Sequence, residues 1–211
     1  MFKKFIANVK KVDNTIWSLF VVQFFTWLGL FSLWIYITPV ITKEVFNAVN
    51  SNSILFKKGV NWVAYCFALY SFFAATFTFF SHRFYNKIGL FRFHAVALII
   101  GGIGLLLIGF IQHKWLIFFP FLLIGIGWSS ISNIPYKIIG KVASDELMEF
   151  SYSIFSFSVV IPQVVAATFL GYLTENVFFG HTNFTLIFGG GSMMFSGVLM
   201  YLWNLISKKK V

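Results

Sequence analysis

Charged residues divide the chain into long uninterrupted apolar units. Residues 14–42, 59–82, 93–113, 115–136, 150–174 and 176–207 contain no Asp, Glu, Lys or Arg and run to 29, 24, 21, 22, 25 and 32 residues. A hydrocarbon core about 30 Å thick is crossed by about 20 apolar residues in helical form, so each stretch is long enough to cross once. None alternates strictly between apolar and polar positions as a barrel strand does, and backbone groups in hydrocarbon need internal partners, which leaves the helix. The pattern predicts an all-α polytopic membrane protein, a single six-helix bundle over 1–211 with spans at about 16–41, 59–81, 94–112, 115–138, 150–174 and 184–206. The longest connection, 42–58, has 17 residues around a polar centre at 47–53, too few for a soluble domain.

Composition agrees with this. With 59% hydrophobic and 10% charged residues and a mean hydropathy of +0.84, the chain has too little polar surface to cover a soluble globule. The net charge of +10 does not point to nucleic acid, because the basic residues sit at helix ends rather than along one face. With Met1 inside, the inner segments hold Lys3, Lys4, Lys10, Lys11, Arg83, Lys87, Arg92, Lys137, Lys141, Lys208, Lys209 and Lys210, against Lys43, Lys57, Lys58 and Lys114 outside. That asymmetry predicts both termini cytoplasmic, and the chain is expected to be a multi-pass protein of a bacterial cell membrane. The basic segment before the first span precedes an apolar run too long for a signal peptide and without a small-residue cleavage site, so the first span is expected to be retained.

The single cysteine, Cys66, excludes an internal disulfide and a Cys-based metal site. No Walker loop, His-Glu-x-x-His or Gly-x-Gly-x-x-Gly occurs, so no cofactor is expected. The 30 Phe and the excess of Lys over Arg read as genome composition, which makes any one Phe lipid-facing filler first.

Small-residue patterns recur across the chain. Trp27-Leu28-Gly29 precedes Pro39 in the first span, and Gly125-Ile126-Gly127-Trp128 precedes Pro135 in the fourth. Gly101-Gly102-Ile103-Gly104 in the third span is matched by Gly189-Gly190-Gly191 in the sixth, and each offset is about 90 residues. This spacing suggests two three-helix units of inverted membrane topology.

Four segments carry a family resemblance. They are Val22-Gln23-Phe24-Phe25-Thr26-Trp27 through Trp34-Ile35-Tyr36-Ile37-Thr38-Pro39, Asn61-Trp62-Val63 with Tyr70, Gly125-Ile126-Gly127-Trp128 leading to Ile134-Pro135-Tyr136, and Val160-Ile161-Pro162-Gln163-Val164-Val165-Ala166-Ala167. In that order they resemble the C-terminal six-helix half of sugar carriers of the major facilitator superfamily, nearest to the glycoside and sucrose/maltose-type cation symporters. Two stretches depart from that family. Asn86-Lys87-Ile88-Gly89-Leu90-Phe91-Arg92 has apolar residues where the family's Arg-x-Gly-Arg-Arg gating loop is basic. Met148-Glu149-Phe150-Ser151-Tyr152-Ser153-Ile154-Phe155-Ser156 lacks the glycines and the asparagine usual at the start of the fifth span.

The resemblance implies a sugar held by aromatic faces and fixed by amides and hydroxyls. Gln23, Thr26, Trp27 and Thr38 of the first span and Trp128, Ser132, Asn133 and Tyr136 of the fourth supply both, and Ser156 stands where the family contacts substrate. The competing reading makes the small polar residues interhelical glue and the Trp residues interfacial anchors. Arg83, Lys87, Gly89 and Arg92 would form the gating loop, with His82 and His94 beside them. Pro39, Pro135 and Pro162 would bend helices or merely kink them, and Gln163 would meet the carbonyl freed by Pro162 or a substrate. All six acids, Asp13, Glu44, Asp145, Glu146, Glu149 and Glu175, fall at or beyond helix ends, so proton coupling would require a group in a partner half.

The reading is therefore one half of a sugar carrier working by alternating access, cation-coupled and not an enzyme. It would be embedded in membrane lipid and completed by an N-terminal half chain or a homodimer partner. Alternatives are a substrate-capture subunit of another uptake system, a non-functional carrier fragment, and a six-span serine protease prompted by Gly127-Trp128-Ser129. The last needs a His near the serine, and the sixth span has none.

Overall fold

In the computed structural model the backbone is described for residues 2–208, and side chains for residue 6 and for 8–207. Lys3, Lys4 and Lys208 to Lys210, which weigh in the charge asymmetry, have side chains outside the described residues. The described residues form helices α1 (Phe2–Lys11), α2 (Asn14–Val40), α3 (Ile54–Ile88), α4 (Leu90–Ile108), α5 (Phe118–Ile131), α6 (Ile134–Val142), α7 (Met148–Tyr172) and α8 (Thr182–Lys208), with no strand. Six units are long and apolar enough to cross a membrane, the fourth being α5 and α6 together. The protein is thus an all-helical polytopic membrane protein.

Local chemistry sets the helix starts. The Asp13 carboxylate accepts the Thr15 N–H at 2.7 Å to open α2, and Ser53 Oγ accepts the Phe56 N–H at 3.1 Å to open α3. The second span is longer than its hydropathy predicts, because Lys57, Lys58, Arg83 and Lys87 are helical too. Long cationic side chains can stay in a helix at the bilayer edge by reaching outward to water. The third span starts at Leu90 rather than near 94, which draws His94 one turn into the bundle.

The prolines behave differently from one another. Pro39 and Pro162 lie inside the unbroken helices α2 and α7. Pro135 lacks the N–H that would bond the Ile131 carbonyl, and the fourth span breaks at Asn133 (φ −126°).

Both α2 and α7 end in a π-helical turn, Ile41–Val45 and Leu173–Val177. The Thr42 hydroxyl donates to the Thr38 carbonyl at 2.8 Å and Thr174 to the Leu170 carbonyl at 2.7 Å, and each turn closes on a positive φ, 51° at Asn47 and 52° at Phe179. The matching residues, Ile-Thr-x-x-Val-Phe at 41–46 and Leu-Thr-x-x-Val-Phe at 173–178, are a second repeat that hydrophobic periodicity does not reveal.

Helix packing follows the small residues. The most extensive contact is α4 with α8, flanked by α2 on α8 and α5 on α4, with α7 outside α2 and α3 outside α5. This pattern maps onto itself when the first three spans exchange with the last three, as an inverted repeat requires. A Cβ on Gly102 would lie 2.8 Å from the Gly190 carbonyl oxygen, and one on Gly190 would lie 2.8 Å from that of Gly102, so α4 and α8 touch backbone to backbone. Gly29 meets Gly189 of α8, and Gly127 meets Gly101 of α4. The structural equivalent of Gly29 is therefore Gly127, not the Gly125 that the proline spacing suggests.

Thr26 strengthens the same seam, its one hydroxyl proton shared between the Val22 carbonyl and Ser196 Oγ, each 2.9 Å away. A double-mutant cycle of Thr26→Val and Ser196→Ala, read by thermal unfolding in detergent, is expected to give a coupling of about 0.6 kcal/mol, with about 1.7 as the upper end for membrane interiors.

Coverage is uneven. The spans containing α3 and α7 bury only 22% and 33% of their most apolar windows, against 50% to 56% for the other four. On α7 the exposed face carries Ser153, Ser156, Gln163, Ala167 and Thr168, and on α3 it carries Ser71, Ala75 and Thr76. Gln163 is exposed near the middle of a 25-residue helix. It makes no side-chain hydrogen bond to any described residue, so the backbone role suggested by its place after Pro162 is not what the structure shows.

Candidate functional site

The two central glycine contacts hold α2 and α5 against the α4–α8 pair, and the opposite sides of α2 and α5 carry tryptophans. Trp27 and Trp128 meet edge to face with centroids 6.0 Å apart. Trp34, two helical turns beyond Trp27, closes the triangle at 5.9 Å from each. Tyr70 of α3 reaches Trp128 from the other side at 6.1 Å. Such offset and edge-on pairs place the positive rim of one ring on the negative face of another and keep the cluster rigid.

Below this cluster a cavity of about 210 Å³ is lined by Trp27, Trp128, Ile131, Ser132, Tyr136, Phe155 and Val159, drawn from α2, α5, α6 and α7. The break before Pro135 shapes it. Asn133 Nδ2 donates to the Ser129 carbonyl and to Ser132 Oγ, both at 3.0 Å, which satisfies groups that the interrupted helix leaves open. Ser132 donates in turn to the Trp128 carbonyl at 2.9 Å. Tyr136 packs edge-on against Phe155 at 5.3 Å while staying half exposed.

The sequence-predicted residues separate into two groups. Trp27, Trp128, Ser132 and Tyr136 come together around the cavity, with Asn133 at its rim through Ser132. Gln23 and Thr26 do not reach it: both are fully buried on the core side of α2, and the Gln23 amide has no protein partner on either atom. Ser156 lies on the exposed face of α7 and bonds only the Tyr152 carbonyl, at 3.0 Å. Thr38 is partly buried near the far end of α2. Trp34, Tyr70, Phe155 and Val159 complete the site and are absent from the sequence prediction. The heptad spacing of Trp27 and Trp34 was the available signal for one of them.

The expected gating loop is reduced to Gly89 alone, because α3 runs to Ile88 and α4 starts at Leu90: Arg83 on α3 lies over the Phe80 ring at 5.6 Å, and Lys87 on α3 and Arg92 on α4 are exposed. Gly89 (φ +88°) ends α3 and begins α4, a conformation that favours glycine. His94, grouped with these residues by sequence, is instead fully buried, with Nδ1 2.8 Å from Ser130 Oγ. Ser129 donates to the Ile126 carbonyl at 2.8 Å rather than to a histidine. Among the described residues the one hydrogen-bonded Ser–His pair, His94 with Ser130, thus lies one residue away from the motif that prompted the protease alternative, and both members are fully buried. Among the described residues no cluster of His, Cys, Asp and Glu could hold a metal ion.

Chemically, the cavity joins a rigid aromatic wall to hydroxyls at one edge, a combination suited to a ligand with both an apolar face and hydrogen-bonding groups. No protein-family model matches the chain, and neither does any curated protein or solved structure. The class these observations define is a six-span, all-helical, transporter-like membrane protein.

Proposed function

We propose that this chain is one lobe of a secondary-active carrier for a sugar, an oligosaccharide or glycoside, that works by alternating access with a second six-helix lobe. The observation that supports this reading best is the aromatic-walled cavity between α2, α5, α6 and α7, beside helices whose outer faces no other part of the chain covers. A pyranose ring has an apolar face to stack on indole and hydroxyls to meet Ser132, Asn133 and Tyr136. A cavity of about 210 Å³ is small for a whole oligosaccharide, as half of a shared site would be. The exposed Gln163 amide is costly against hydrocarbon and argues for a protein or aqueous neighbour at that face. Resemblance to the major facilitator sugar symporters supports the same reading, with coupling to a cation. The charge asymmetry supports cytoplasmic termini.

Cross-linking combined with transport tests it. In a Cys66→Ala background, Gln163→Cys is expected to give an oxidised cross-link to a second six-span chain or to a second copy. Val96→Cys, exposed on α4 at the other side, is expected to give none. Proteoliposomes holding the cross-linkable pair should take up labelled glycosides saturably. Saturable uptake by the monomer, with no cross-linked species, sinks the proposal.

A further inference from the structure

A second cavity, of about 520 Å³, opens where α3 meets α4 beside α6, and is lined by Tyr85, Asn86, Gly89, Leu90, Lys137, Gly140 and Lys141. Its polar groups are mainly hydrogen-bond donors. Lys137 Nζ donates to the Tyr85 hydroxyl at 2.6 Å and lies 4.3 Å from the ring centroid, which fixes the ammonium at the cavity wall with two N–H groups left over. Lys141 lies one turn further along α6. Among the described residues neither lysine has a carboxylate partner. The nearest acids in sequence, Asp145, Glu146 and Glu149, do not line the cavity. Gly89 opens α4 with no side chain capping it, so the first N–H groups of this 19-residue helix lack intrahelical acceptors at the cavity wall.

We propose that this cavity binds a phosphate group. Two ammonium groups without a carboxylate partner among the described residues, an uncapped helix N-terminus, an amide and a phenol line one recess, and a tetrahedral oxyanion accepts from all of them. Basic recesses between transmembrane helices at the bilayer edge hold phospholipid headgroups, and a soluble phosphate ester offers the same chemistry. The site is separate from the aromatic cavity and does not depend on the carrier reading.

The test uses the whole chain in phosphatidylcholine nanodiscs. One arm adds phosphatidylglycerol to the disc lipid. The other adds inorganic phosphate at constant ionic strength. Binding is read as retained ligand by native mass spectrometry and as a shift in thermal unfolding. Saturable binding is expected in at least one arm, and the double variant Lys137→Gln/Lys141→Gln should weaken it about 30-fold, taking about fivefold per lysine. Gly140→Trp should weaken it comparably by filling the recess with both lysines in place. That position accepts a side chain, since an added Cβ meets only the Tyr152 hydroxyl, at 3.5 Å. Lys10→Gln/Lys11→Gln removes the same charge outside the cavity and should change binding less than about twofold.

Saturation by phosphatidylglycerol alone identifies a lipid headgroup, by inorganic phosphate alone a soluble ligand, and by both a site for the shared group. The proposal is overturned by an absence of saturable binding in both arms, by cavity variants without effect, or by a Lys10/Lys11 variant that weakens binding as much as they do.

Discussion

Gly190→Ile is expected to unfold or disperse the bundle, whereas Gly191→Ile, one residue along the same glycine run, is expected to be tolerated. A Cβ at Gly190 would lie 2.6 Å from the Leu106 nitrogen and 2.8 Å from the Gly102 oxygen, both backbone atoms that cannot rotate aside. Accommodating it means moving α8 off α4, the largest contact in the protein. Overpacking a tight interior typically costs about 1 to 3 kcal/mol, and a β-branched side chain against backbone belongs at or above the upper end. At Gly191 an added Cβ meets nothing within 4 Å and points outward. Thermal unfolding in detergent with size-exclusion profiles separates the two variants. Equal tolerance of both would refute the α4–α8 crossing, and equal intolerance would show that Gly191 also faces a neighbour.

On the proposed carrier function, Trp128→Ala is expected to weaken glycoside binding about 10- to 100-fold, the equivalent of losing one aromatic ring from a buried contact. Trp128 is the ring that joins Trp27, Trp34 and Tyr70 and also lines the cavity, so its loss removes a wall and loosens the remaining rings. Trp128→Phe keeps an aromatic face and should stay within about threefold of the parent. Gln23→Leu serves as the discriminating control: Gln23 does not line the cavity, and replacing its unpartnered amide by a similar apolar group should leave affinity unchanged without loss of stability. Affinities read from tryptophan quenching across a panel of glucosides and disaccharides, on the chain together with the proposed second lobe, decide the matter. A Gln23→Leu variant that loses binding while Trp128→Ala keeps it would relocate the site to the core side of α2.

The candidate site was only half legible beforehand, for reasons visible at single residues. Trp27, Trp128, Ser132 and Tyr136 were identifiable because the first and fourth spans combine Trp or Tyr with amide and hydroxyl groups in the segments that resemble sugar carriers. Gln23 and Thr26 carry the same chemical signature but sit on the other side of α2, where Thr26 bonds Ser196 of a helix 170 residues away. Rotation about a helix axis decides between cavity and core, and a span with little amphipathic asymmetry does not announce its rotation. His94 was misread for a related reason: the third span begins a turn earlier than its charge-free stretch suggests, since Arg92 is helical.

What the linear chain determined was the number, approximate limits and helical nature of the spans, because crossing hydrocarbon depends on apolar length and on backbone bonds closed within each segment. Its glycine spacing also pointed to a two-unit repeat. Tertiary structure alone decided which glycines touch, that Gly29 pairs in role with Gly127, that Trp34, Tyr70, Phe155 and Val159 reach or support one cavity, and that Lys137 and Lys141 share a recess with the start of α4. These depend on helix rotation and on contacts between residues far apart in the chain, where packing of small side chains against backbone fixes the geometry.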